Sequence, residues 1–130
     1  MRLLLDTHML LWAVADPGKL HDAVRTLIED PANEVMFSAA SIWEIAIKAA
    51  LGRVDFSVQP EQVARAASEA GFLELPVWAA AAALVATFPP HHRDPFDRLL
   101  VAQAIAGAMS LYTADPLLVP YSGWVVLARA

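Results

Sequence analysis

Arg2-Leu3-Leu4-Leu5-Asp6-Thr7-His8 is the stretch on which the fold turns. The leucine run reads as a buried strand, and Asp6 closes it at the point where an apolar helix, His8 to Val14, begins. Asp16-Pro17-Gly18 stops that helix. The same alternation continues outward from it. A second helix, about Leu20 to Glu29, is amphipathic through Leu20, Val24, Leu27 and Ile28, and Val35-Met36-Phe37 is a short buried strand. Ser41 reads as the cap of the next helix, with Glu44 completing a capping box and Gly52 ending it. Pro60 opens a helix to Ala70, with Gly71 as its stop. Phe72 to Leu75 is strand-like, Val77 to Thr87 helical, and Asp94-Pro95 starts a largely apolar helix through Leu99-Leu100-Val101. Leu111-Tyr112-Thr113 and Val125-Val126-Leu127 supply two late strands. Strands alternating with helices predict an α/β fold with a central parallel sheet of about five strands, covered on both faces.

The 130 residues amount to one domain, 1–130, with no repeat, linker or low-complexity tract. The chain is 58% apolar, enough for a substantial core. Its longest apolar stretch, Val77 to Phe88, is mostly alanine and ends at Pro89-Pro90, short of the roughly 18 residues of a membrane span. Met1 to Leu5 followed by Ala13-Val14-Ala15 has the outline of a signal peptide, but Asp6, Thr7 and His8 interrupt its apolar centre. The absence of cysteine removes disulfides, thiol nucleophiles and thiolate metal sites, and fits a cytoplasmic protein. A net charge of −5 argues against a nucleic-acid partner only until the acids are sorted. Four of the 14 acids belong to the cluster described next, which leaves 14 − 4 = 10 against nine bases.

Asp6, Glu44, Asp97 and Asp115 fall at strand ends and helix starts, and a parallel sheet gathers such positions outside the carboxyl ends of its strands. Several carboxylates in one cleft need a strong counter-charge, and hard oxygen ligands favour Mg²⁺ or Mn²⁺. Each acid also has a plain structural reading. Asp6 and Thr7 both serve as helix caps, and Glu44 pairs with Ser41 or with Lys48 one turn on. Asp97 caps or points from the first helical turn into the cleft, where the helix dipole would keep it ionised, and Asp115 before Pro116 suits a turn. Asp94 reads as the structural cap, and His8 as an ordinary packed or surface histidine.

The chain resembles the PIN-domain ribonucleases of the VapC toxin type. The resemblance rests on four ordered blocks: Leu4-Leu5-Asp6-Thr7-His8 with Leu10-Leu11-Trp12; Ser38 to Lys48 with Leu51-Gly52-Arg53; His92 to Ala104; and Thr113-Ala114-Asp115. It implies a PIN-like α/β/α sandwich whose acidic quartet, here Asp6, Glu44, Asp97 and Asp115 with Asp94 as a fifth candidate, holds one or two Mg²⁺ or Mn²⁺ ions. It further implies hydrolysis of RNA by metal-activated water, a homodimer, and inhibition by a cognate VapB-type antitoxin. Thr7 and Thr113 are candidates to orient ligand or substrate, and Lys48, Arg53, Arg93 and Arg98 to meet phosphate. The region from Trp78 to Thr87 departs from the family in its alanine content and leaves substrate choice open. Three other readings compete. A non-catalytic module of the same fold would keep the acids as structure. An aspartyl phosphatase needs an acid where His8 stands, and a nucleotide-binding fold needs a glycine-rich loop that the first strand lacks.

Overall fold

A computed structural model of the chain describes residues 1–128. Five parallel strands form one sheet in the order β3-β2-β1-β4-β5. They are β1 (Arg2–Leu5), β2 (Glu34–Ser38), β3 (Leu73–Leu75), β4 (Ser110–Thr113) and β5 (Val125–Leu127). The helices between them are α1 (Thr7–Ala15), α2 (Asp22–Glu29), α3 (Ala39–Ala50), α4 (Pro60–Glu69), α5 (Ala79–Leu84) and α6 (Pro95–Gly107).

Strand alternation sorts the core into two layers. Leu3, Leu5, Val35, Phe37 and Tyr112 face α1, α2, α3 and α4, where they meet Leu10, Val24, Ile45 and Val63. Leu4, Met36 and Leu111 face the other way onto Leu100, Val101 and Ala104 of α6. β1 is therefore covered on both sides, and Leu3, Leu4 and Leu5 are wholly buried, each contributing roughly 2 kcal/mol over an exposed leucine. Gln103 is the polar exception on the buried face of α6. Its side-chain carbonyl accepts from Ser38 Oγ at 2.6 Å and its amide donates to the Pro76 carbonyl at 3.1 Å, which ties α6 to the ends of β2 and β3.

Local expectations hold at the sharp signals and fail at the diffuse ones. α3 and α4 end at Gly52 and Gly71, whose φ of 75° and 87° are left-handed values that suit glycine. Asp94 caps α6 and Pro95 is its first residue. The capping box at Ser41 is a correction: Ser38 caps α3, the helix starts at Ala39, and Ser41 lies buried inside it. The alanine-rich helix also shortens to Ala79–Leu84 and tightens into a 3₁₀ turn at Val85–Thr87, because alanines bury too little surface to hold a long amphipathic face.

The order of strands places the site. The chain moves outward from β1 to β2 and β3, then returns to add β4 on the opposite flank of β1. Between the carboxyl ends of β1 and β4 the connections diverge, and that crevice receives the side chains of both.

Candidate active site

Asp6 follows the last residue of β1, and its backbone N–H still donates to the Tyr112 carbonyl at 3.1 Å in continuation of the ladder. Its side chain meets both readings made of it. Oδ1 caps α1 by accepting from Met9 N at 2.9 Å, and Oδ2 accepts from Thr113 Oγ1 at 2.6 Å. Burial raises the Asp6 pKa, and the bonds from Thr113 and Met9 pull it partly back.

Asp94 and Asp97 divide the start of α6 between them. Asp94 Oδ1 accepts from Phe96 N at 2.9 Å, while Asp97, one turn on, lines the cleft. Burial first, then the charges of Asp94, Asp6, Glu44 and Asp115, push the Asp97 pKa from 3.8 up to about 8. The helix dipole, which favours an ionised Asp97, is opposed here by burial and by like charge. A dipole is worth about 1 kcal/mol, less than one pKa unit, and burial among four like charges outweighs it.

Glu44 is 2% exposed and sits behind the cleft surface. Oε1 accepts from Thr7 Oγ1 at 2.6 Å and Oε2 accepts from Lys48 Nζ at 2.5 Å, one helical turn away. Lys48 Nζ also lies 3.3 Å from Asp94 Oδ2 and over the faces of Phe56 and Phe96, at 5.0 and 5.8 Å from their centroids. Burial alone would lower its pKa, but Glu44 and Asp94 together carry it above the ordinary lysine value.

Asp115 follows β4 as the resemblance implies and, like Asp6, has two tasks. Oδ1 accepts from Leu117 N at 2.9 Å, capping the 3₁₀ segment Pro116–Tyr121, and Oδ2 lies 2.8 Å from His92 Nε2. His92 Nε2 is also 3.5 Å from Asp97 Oδ2. His92 lies in the third block of the resemblance, where nothing in the sequence marks a task for it. Only the fold brings it against an acid 23 residues later.

Asp6, Asp94, Asp97 and Asp115 share a cleft of about 500 Å³ with His8, Trp12, Lys48, Arg53 and His92. Several expected substrate contacts fail to reach it. Thr7 and Thr113 are buried and spend their hydroxyls on Glu44 and Asp6, so they orient carboxylates and cannot touch substrate. Arg93 is exposed outside the cleft lining, and Arg98 turns away, its Nη2 donating to the Phe88 carbonyl at 3.5 Å. Of the four basic candidates, Lys48 and Arg53 line the cleft. His8 lies on the same wall, its ring edge-on to Phe56 with centroids 5.3 Å apart.

The site therefore holds five carboxylates around one embedded ammonium. Asp6, Glu44, Asp94 and Asp115 each accept at least one hydrogen bond of 2.9 Å or shorter. Asp97 has no such donor, its nearest being His92 Nε2 at 3.5 Å. His92, Asp97 and Asp115 each offer an atom within 4.8 Å of the others. A hard, oxygen-rich, negative set with one unsatisfied carboxylate suits a divalent cation such as Mg²⁺ or Mn²⁺.

Comparison with known proteins places the fold in a family. A PIN domain matches residues 3–118. The chain is 34% identical over 116 residues to ribonuclease VapC22 of Mycobacterium tuberculosis (strain ATCC 25618 / H37Rv), covering 86% of this chain and 85% of that protein. In structure it is similar to VapBC2 from Rickettsia felis bound to a promoter DNA fragment, with a TM-score of 0.68 at 14% identity over 99% of this chain and 98% of that one. It is also similar to VapBC-5 from Mycobacterium tuberculosis, with a TM-score of 0.65 at 20% identity over 99% and 98% of the two chains. The parallel α/β/α sandwich is thus the PIN-like fold expected from the sequence.

Proposed function

The chain belongs to the PIN-domain family, and on that premise we propose that it is an endoribonuclease toxin of a VapBC-type system, hydrolysing RNA phosphodiester bonds with Mg²⁺ or Mn²⁺. The observation that carries the reading is Asp97, a carboxylate left without a close donor beside three others in an open cleft.

Asp97, Asp6 and Asp115 would hold one or two cations, with Asp94 adding charge from the cleft wall and Glu44 from behind it. When bound, a divalent cation acidifies water and stabilises charge that develops on phosphate oxygens. The chain's own residues prepare for this. Thr113 and Met9 N aim Asp6, and Thr7 with Lys48 fixes both oxygens of Glu44. Arg53 at the cleft wall is placed to attract a phosphate. No side-chain nucleophile is needed.

The same reading assigns a VapB-type antitoxin and a second copy of the chain as partners. Two features support it: the groove between α1 and α4 lined by Val14, Val58, Val63 and Ala66, and the exposed row Trp43, Ile47 and Leu51 along α3. Among the described residues no helix is long and apolar enough to cross a membrane. A cytoplasmic location belongs to the VapC-type reading itself.

The test is cleavage of a mixed RNA pool, tRNA included, by antitoxin-free protein with Mg²⁺, Mn²⁺ or EDTA. We expect cutting with either metal, none with EDTA, and none by folded Asp6→Asn or Asp97→Asn. Cutting in EDTA, or undiminished cutting by both variants, would refute the reading.

A further inference from the structure

The His92 ring sits between two networks. On the cleft side Nε2 is 2.8 Å from Asp115 Oδ2 and 3.5 Å from Asp97 Oδ2. On the far side Nδ1 accepts the backbone N–H of Asp94 at 2.9 Å. A backbone N–H can only donate, so Nδ1 must present its lone pair. The hydrogen of the neutral ring is then on Nε2, pointing at the carboxylates. This is the reverse of the arrangement around a metal-ligating histidine, which gives one nitrogen's lone pair to the metal and donates hydrogen from the other. With Nδ1 engaged by Asp94, Nε2 has no lone pair to offer a cation.

The backbone of His92 is held as firmly as its ring. Its N–H donates to the Tyr121 hydroxyl at 2.8 Å, and Tyr121 in turn packs against Phe88 and His91, with centroids 5.2 and 5.0 Å away. Phe88 and Tyr121 both lean on the core beneath α6. The ring is 84% shielded from solvent in side-chain terms, being 16% exposed, so its orientation is set by protein contacts. Asp115, at 34%, is the more exposed partner and gains most from being held.

We propose that His92 is an outer-sphere positioning residue of the cation centre. Its Nε2–H keeps Asp115 turned toward Asp97, so that the two carboxylates would face one cation together, and the imidazole is not itself a ligand. The inference rests on the metal-dependent reading given above and adds a role outside the acidic quartet. Its device is tautomeric: the amide of the helix-capping Asp94 selects the ring form that donates into the cleft.

The test is Mn²⁺ binding to the full chain, followed by the loss of the free-ion EPR signal, with no RNA present. Wild type should bind, and Asp97→Asn should not. His92→Ala should weaken Mn²⁺ by about tenfold or more, the usual scale for losing such a partner. His92→Gln, which can place an N–H near the Nε2 position, should recover most of the loss. Tyr121→Phe, which keeps the imidazole but unclasps its backbone, should shift affinity in the same direction by a smaller factor. Pulsed EPR of the wild-type complex should lack the strong ¹⁴N coupling of a bound imidazole. Wild-type affinity in His92→Ala and Tyr121→Phe would overturn the proposal, and so would a directly coupled nitrogen that disappears in His92→Ala. Folded wild type that binds no Mn²⁺ would instead sink the metal-dependent reading itself, and the role of His92 with it.

Discussion

Thr113 and Asp6 meet through a 2.6 Å hydrogen bond that spans 107 positions of sequence, joining the ends of β4 and β1. The same hydroxyl oxygen accepts from Asp115 N at 3.0 Å, so one threonine links the first and last acids of the quartet. Thr113→Val keeps the shape and removes both bonds. We expect a loss of about 1–3 kcal/mol, the usual cost of stranding buried polar groups, measured as the shift of the urea midpoint in EDTA. Mn²⁺ binding should weaken in parallel. A variant as stable as wild type would show that Asp6 finds another donor.

Asp97 sets a pH dependence whose sign is fixed by its folded pKa of about 8 against 3.8 for the free side chain. Between these values the folded state holds a proton that the unfolded chain has released. Its contribution to stability therefore falls as pH rises from about 4 and levels off above about 8. In EDTA, Asp97→Asn should flatten this decline and melt several degrees higher than wild type at pH 8.5, at roughly 3–5 °C per kcal/mol for this size. The cation must displace that proton, so Mn²⁺ affinity in wild type should climb with pH until about 8.

Lys48 and Glu44 are unequal partners in their ion pair, because Glu44 is the more deeply buried, with side-chain exposures of 2% and 16%. Lys48→Met leaves an uncompensated buried charge and should cost about 3–5 kcal/mol. Glu44→Gln should cost less than half as much, since Lys48 keeps Asp94. The double variant should be more stable than Lys48→Met alone. Chemical denaturation of all three in EDTA checks the order, and a Glu44→Gln loss equal to that of Lys48→Met would contradict it.

Ala108 closes α6 at φ 50°, the one described non-glycine residue with a positive φ. Such a conformation costs an L-residue about 1–2 kcal/mol, part of which glycine forfeits through its freer unfolded chain. Ala108→Gly should thus stabilise the protein by about 0.5–1 kcal/mol. Calorimetry reads the change directly, and a lower Tm would show that the alanine methyl is earning its place by packing.

What was legible in the sequence follows the range of the interactions. Leu3-Leu4-Leu5, Asp94-Pro95 and the two glycine stops are local signals, and they mark β1, the start of α6 and the ends of α3 and α4 where the structure has them. The resemblance implies a quartet of Asp6, Glu44, Asp97 and Asp115, of which the fold sets Asp6, Asp97 and Asp115 on one cleft and Glu44 behind it. The tasks of the neighbours were hidden because they depend on burial and on distant partners. Thr7 and Thr113 are spent on carboxylates, and Arg98 turns toward Phe88. His92 gains its meaning from Asp94 N on one side and Asp115 on the other. Ser41 and Glu44 matched a capping-box spacing, yet Ser38, three residues earlier, takes the cap because β2 runs directly into the helix there.

The central position of β1 has a consequence for the order in which the molecule is made. Asp6 leaves the ribosome more than a hundred residues ahead of the hydroxyl that aims it and of Asp115. Until β4 slots in beside β1, the nascent chain carries a sheet with one flank open and a cleft with one wall missing. Pairings this remote along a chain form late, after local helices. A chain stalled before Thr113 accordingly lacks both the hydroxyl that aims Asp6 and the last acid of the cleft.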